Sequence, residues 1–200
     1  MNRDTTYKAY YVHTPATELP VTLEQVRYHL RNEDLRFDDE LLKQYIRAAA
    51  NYVEKTYGLA LLTQTIKQYH DSFPCGSNMP LLLRISPLAT TPAIVITYTD
   101  TAGATQTWTS SEYTSGRLDL GGFIVPNINY TWPDSVAALP NAITVTYSAG
   151  FGTKPSTLPP AITSALLLII GDMYQRREDS VANLPKASEY LLLPWYRWAA

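Results

Sequence analysis

Leu158 to Asp179, LPPAITSALLLIIGDMYQRRED, is the stretch that most narrows what this chain can fold into. Pro159 and Pro160 suit a first helical turn, where a missing N–H removes no helical hydrogen bond. From Ile162 to Ile170 the residues are apolar on nearly every side, interrupted only by Thr163, Ser164 and small side chains. A helix apolar all round belongs inside a core. Asp172 and QRRED follow too soon for a bilayer span, which needs about 20 apolar residues. The stretch is therefore expected to be a buried central helix of a soluble core. Arg176 and Arg177 near its end complement the helix dipole.

The rest of the chain must supply the cover. Met1 to Pro20 show no clear period and are expected to form an arm, with a short extended piece at Tyr10 to Val12. Thr22 with Gln25 three residues on makes a capping box, and Leu23, Val26 and Leu30 follow at helical spacing. After RNEDLRFDD, Asp38 or Asp39 caps a second helix carrying Leu41, Leu42, Tyr45, Ile46, Ala49, Val53 and Tyr57 up to Gly58. Two helices with a short acidic link read as an αα-hairpin.

From Leu62 to Tyr147 the text turns rich in Thr, Val, Ile and Tyr and poor in charge. LTQTIKQYHDSF, AIVITYTD, TQTWTS and AITVTYSAG alternate as strands do. Thr99 to Ala104 reads as the hairpin turn between the second and third of these. SGRLDLGGFIVP adds one or two short strands, and PNINYTWPDSVAALP is loop. About five or six antiparallel strands are expected. The fold class is α+β by segregation: an αα-hairpin plus a buried C-terminal helix, with an inserted antiparallel β region and a C-terminal tail. The expected boundaries are an arm over 1–20, a helical core over 21–61 and 155–200, and a β insertion over 62–154.

A search for chemistry returns little. His13, His29 and His70 fall in different elements, and no metalloprotease, nucleophile-elbow or phosphate-loop motif occurs. Glu33, Asp34, Asp38, Asp39 and Glu40 lack the spacing and turn glycine of a calcium loop and read as a solvated link with capping carboxylates. Cys75 is the one cysteine, which excludes an internal disulfide and a cysteine-based zinc site. No catalytic, cofactor or metal site is expected. With 16 basic and 18 acidic residues the net charge is −2, so the whole chain lacks the electrostatic footprint of a nucleic-acid binder. The opening MNRDTTYKAYYVHTP has no apolar run of a secretory signal, and an intracellular product is expected.

The tail stands out instead. Leu191, Leu192, Leu193, Trp195, Tyr196 and Trp198 are too apolar to be left in water, so they either fold back on the core or insert into a partner. Trp, Tyr and Arg are the types enriched at interface hot spots. Tyr174-Gln175-Arg176-Arg177 and Trp195-Tyr196-Arg197-Trp198 interleave bases with aromatics, but adjacent Glu178 and Asp179 weaken a nucleic-acid reading.

The order VTLEQVRYHLR, DDELLKQYIRAAANYVEKTYGLALLTQT, a Thr-rich insert ending ITVTYSAGFG, LPPAITSALLLIIGDMYQRRED and a closing LLLPWYRW resembles phage head–tail connector proteins. These are adaptors of the phiE125 gp8 type and the related gp6-like connectors. The likeness spans about residues 21 to 198; its last motif departs from the family pattern. The resemblance implies a helical bundle with a β insertion and a structural role without catalysis. It implies a twelvefold homo-oligomeric ring beneath the portal protein that continues the DNA channel, without sequence-specific DNA binding, and receives the next tail-side connector or tail terminator protein. No membrane is involved. The place implied is the head–tail interface of the virion, with assembly in the host cytoplasm. By the same resemblance Leu191, Leu192, Leu193, Trp195, Tyr196, Arg197 and Trp198 form the portal-docking tail. A ring subunit also needs two different lateral faces. The alternative is a tail-side or baseplate module whose β insert contacts a ligand or neighbouring tail protein around Tyr113, Tyr130 or Trp132.

Overall fold

The computed structural model describes residues 9–31, 38–76, 79–89, 94–118, 121–176 and 186–196. They form two compact units, each assembled from separated stretches of chain. Met1–Pro15 with Thr63–Gly150 make a β unit, and Ala16–Leu62 with Phe151–Ala200 make a helical unit. The fold is α+β.

In the helical unit, α1 (Leu23–Leu30) begins at a reciprocal capping box. Gln25 N donates to Thr22 Oγ1 at 3.1 Å, and Thr22 N donates to Gln25 Oε1 at 2.9 Å. Two otherwise orphaned donors are thus satisfied. Thr22→Ala should cost about 1 kcal/mol, read as a lower melting temperature with an unchanged far-UV spectrum. α2 (Asp39–Tyr57) ends at Gly58, whose φ of 66° is the left-handed cap that glycine adopts without strain. Its buried residues Leu42, Ile46, Ala49 and Val53 lie at helical spacing.

α3 (Pro160–Gln175) has Pro159 at its N-cap and Pro160 as its first residue, and packs against α1, α2 and α4 (Lys186–Leu192). Its buried stripe is Ile162, Ala165, Leu166, Ile169 and Ile170. The expectation of burial on every side is too strong. Leu167 and Leu168 are only half-buried and Ser164 is exposed, because the neighbouring helices cover one broad side of the cylinder and leave the other part open. Asp38 stands at the N-cap of α2 but makes no side-chain capping bond; the carboxylates near these helix ends pair with other side chains instead. Arg27 pairs with Asp39, Tyr174 Oη donates to Asp38 Oδ2 at 3.1 Å, and Asp172 holds Arg176 at 3.3 Å.

The β unit contains two antiparallel sheets. The first has the order β1-β2-β8-β4-β5, from β1 (Tyr10–Thr14), β2 (Gln64–His70), β4 (Val95–Thr99), β5 (Thr105–Trp108) and β8 (Ile143–Ala149). The second has the order β3-β7-β6, from β3 (Leu81–Leu83), β6 (Tyr113–Leu118) and β7 (Gly121–Pro126). Tyr10–Thr14, where the sequence suggests a short extended piece within an arm, is an edge strand paired antiparallel with β2. β2 and β8 alternate buried and half-buried residues throughout, so one face carries Ile66, Gln68, Ile143, Val145 and Tyr147. The opposite face presents Thr65, Lys67, Thr97, Thr144, Thr146 and Ser148.

Gln68 is fully buried and saturates its amide. Its Nε2 donates to Leu82 O at 2.9 Å and lies 2.8 Å from His70 Nε2. Its Oε1 accepts from Arg84 N at 2.8 Å and from Tyr147 Oη at 3.3 Å. The amide thereby ties the first sheet to the strand that follows in the second. A buried polar group is tolerable only when satisfied in this way.

The β4–β5 hairpin closes on Asp100. Its Oδ1 accepts from Ala102 N and Ala104 N, each at 2.9 Å, and its Oδ2 from Gln106 Nε2 at 2.8 Å. The Gln106 amide first, then the Ala104, Ala102 and Gly103 backbone donors, hold this carboxyl below its ordinary value of 3.8. A depressed folded pKa adds stability that is present above the unfolded value and lost as pH falls through the folded one. Asp100→Asn should therefore flatten the acid limb: between pH 5 and 2 its melting temperature should fall less than the parent's.

Candidate functional site

α4 amounts to less than two full turns, and Pro194 then converts it to a 3-10 turn over Leu193–Trp195. The three consecutive leucines consequently take three different environments, since successive helical residues sit about 100° apart. Leu192 is 1% exposed and belongs to the core beside buried Ser188. Leu191 is half-buried against that core. Leu193 is 63% exposed.

Trp195 folds back too. Its ring meets Phe151 edge-on at 5.3 Å, with an 82° interplanar angle. Tyr196 meets Tyr57 at 5.8 Å and 86°, both geometries favoured by the ring quadrupoles, yet Tyr196 stays 40% exposed. Burial, then Tyr52, Glu189 and Tyr196 nearby, push the Tyr57 hydroxyl above its ordinary value. Arg197 and Trp198 lie outside the described residues.

The tail thus has two sides. Leu191, Leu192 and Trp195 hold the segment to the helical unit. Tyr190, Leu193 and Tyr196 stand at three-residue steps and are exposed by 73%, 63% and 40%. Tyr190 is absent from the sequence-derived docking set. Its sequence signal is the step of three into Leu193.

The other candidates resolve into structural roles. His70 is buried beside Gln68, His29 lies against Gly171, and His13 approaches Tyr11 on the β1 edge. Among the described residues no cluster of three metal-ligating side chains occurs, and no helix is long and apolar enough to cross a membrane. Tyr113 and Trp132 join Phe73 and Trp108 in a buried aromatic cluster. Phe73 stacks on Trp132 at 4.9 Å, and Trp108 sits 5.0 Å from Tyr113. Tyr113 Oη donates to Ile94 O at 2.8 Å. Of the three residues proposed to grip a ligand, only Tyr130 is openly exposed, at 46%.

The family model described as phage gp6-like head–tail connector protein matches residues 20–105. No curated protein matches the sequence. Among solved structures, a chain in the neck of an empty GTA particle, computed with C6 symmetry, superposes with a TM-score of 0.79 at 21% identity, covering 96% of this chain and 97% of the other. A chain in the virion of a native gene transfer agent particle gives 0.79 at 22% identity, with 96% of each chain covered. A chain in the native GTA neck, computed with C12 symmetry, gives 0.73 at 21% identity, again covering 96% of each. Over residues 20–105 the sequence is similar to the phage gp6-like head–tail connector family, and almost the whole chain shares its fold with chains of gene transfer agent particles.

Proposed function

We propose that this protein is a structural head–tail connector of a tailed-phage-like particle. Copies assemble into a ring at the neck, with the twelvefold symmetry under which one of the similar necks was computed. The ring sits under the portal protein, extends the DNA channel and receives the next tail-side component. The observation that carries this reading is the coincidence of the connector-family match over residues 20–105 with a neck-subunit fold over 96% of the chain. The protein acts by assembly, without catalysis, cofactor or metal. Its place is the head–tail junction of the particle, reached from the host cytoplasm. DNA passes without sequence-specific contact, which suits a chain of net charge −2.

The portal-docking surface is the exposed strip Tyr190, Leu193 and Tyr196, and Arg197 and Trp198 belong to the same docking segment by the sequence resemblance. Leu191, Leu192 and Trp195 position it from beneath. Aromatic anchors with a polar tip suit an interface that must also tolerate water before assembly.

The test is the mass in solution by light scattering, for the full chain alone and co-expressed with the portal protein of its own genome. A stable complex of portal with a ring of this protein is the expected result. A chain that stays monomeric and ignores the portal would overturn the reading and favour the tail-side module.

A further inference from the structure

The two faces of the five-stranded sheet differ in chemistry. One is turned to the second sheet, to which Gln68 and Tyr147 are bonded through Leu82 O and Ile85 N. The strand registers fix what stands on the other. Lys67, Thr146 and Val95 lie in one row across β2, β8 and β4, with Tyr11 of β1 at its end. Tyr69, Thr144, Thr97 and Thr107 form the next row, which runs out to β5. Thr65 opposite Ser148 and Thr99 opposite Thr105 flank these two rows. Val95, Thr105 and Thr107 are exposed, and the threonines of β2, β8 and β4 are half-buried.

Two properties coincide on this face. The hydroxyls of Thr65, Thr97, Thr144, Thr146 and Ser148 have no hydrogen-bond partner among the described residues. Each can rotate a donor toward whatever lies above it. The rows also hold no carboxylate. Asp100 follows Thr99 in the chain, so it alternates to the opposite face, where Gln106 bonds it. The only Lys, Arg, Asp or Glu in these rows is Lys67, and it forms no ion pair among the described residues.

What this face lacks narrows its partner. A protein interface places aromatic, methionine or arginine anchors at its centre. Here the centre is Thr144, Thr146 and Thr97, and the stacked pair Tyr11 and Tyr69 stands toward the β1 rim. A phosphodiester backbone carries negative charge, offers acceptor oxygens, and is held by hydroxyl and ammonium groups without reference to base sequence. Unpartnered O–H donors, one ammonium and the absence of carboxylates complement it in hydrogen bonding and in charge.

We propose that this face of the sheet, centred on Thr144, Thr146 and Lys67, is the wall of the connector channel and meets the sugar–phosphate backbone of duplex DNA. It rests on the connector reading for the ring and its channel, and assigns the wall. With one ammonium per copy the hold stays weak, since affinity for duplex grows with the number of phosphates neutralised. The duplex then slides past hydroxyls that accept any sequence.

The test uses particles assembled from the protein's own genome, with the photo-crosslinking residue p-benzoylphenylalanine in the full chain. It stands in place of Thr146, or, as the control, in place of Thr114, an exposed position of β6 in the other sheet. Cells are illuminated during DNA packaging and purified particles during DNA release. Position 146 should give a protein–DNA adduct and position 114 at least tenfold less. Lys67→Glu should leave the melting temperature unchanged and lower the adduct at least threefold, and Lys67→Arg should restore it.

Particles that contain the protein but yield no DNA adduct from position 146 overturn the wall and leave the connector reading intact. Adducts from that position to protein alone overturn it too, since another chain then covers the face. So does an equal adduct from position 114, or one indifferent to Lys67→Glu. Particles that package and release DNA without this chain remove the connector reading, and the wall with it.

Discussion

Leu166→Asp should abolish the folded helical unit. Leu166 is fully buried in the α3 stripe, among the residues of α1, α2 and α4 that form one core. A carboxylate placed there has no partner, and a carboxyl that protonates to avoid ionising still leaves a polar group unsatisfied. The cost is about 4 kcal/mol or more, comparable to the whole stability of many domains. Leu166→Ala removes the same contacts without the charge and should cost about 2–5 kcal/mol, leaving a folded but lower-melting protein. Leu168→Asp, at a half-buried position, should melt well above Leu166→Asp. Circular dichroism with thermal melting checks all three. Equal melting of Leu166→Asp and the parent would mean that α3 does not hold the core together.

This ordering shows how far the text of α3 could be read. Its apolar run announced a buried helix, but a run apolar on every side carries no phase, so which leucine faces the core was open. α2 was better marked, because Leu42, Ile46, Ala49 and Val53 alternate with polar residues and fix the inward face. The strands divide similarly. β2 and β8 alternate over seven residues each and were legible. β3 is three consecutive leucines, with no alternation to separate strand from helix. β1 was legible as a short extended piece at Tyr10 to Val12, but its pairing with β2 some 50 residues later is a long-range term that local pattern does not contain. The apolar tail was legible as a region and not as a surface. Its leucine triplet has no phase either, and only the turn of α4 separates Leu192 from Leu193.

That separation gives the second large effect. On the proposed docking surface, Leu193→Asp combined with Tyr190→Asp should weaken portal binding by on the order of 1,000-fold, since two proposed anchors of about 2 kcal/mol each are lost. The same variant should melt within about 0.5 kcal/mol of the parent, because both side chains already lie mostly in water. Leu192→Ala should do the reverse in cause. It removes a residue 1% exposed in the core, costs about 2–5 kcal/mol of stability, and affects the portal only through loosening of α4. Deleting residues 191–200 would confound the two, since it takes Leu192 and the Trp195–Phe151 contact along with the exposed strip. Affinity for immobilised portal, measured beside the melting temperature, separates the cases. Normal portal binding by the Leu193→Asp, Tyr190→Asp variant would show that the strip is not the anchor. Retained folding with lost binding would place the anchor on the outer side of α4, with the inner side serving to hold it at a fixed angle before the portal arrives.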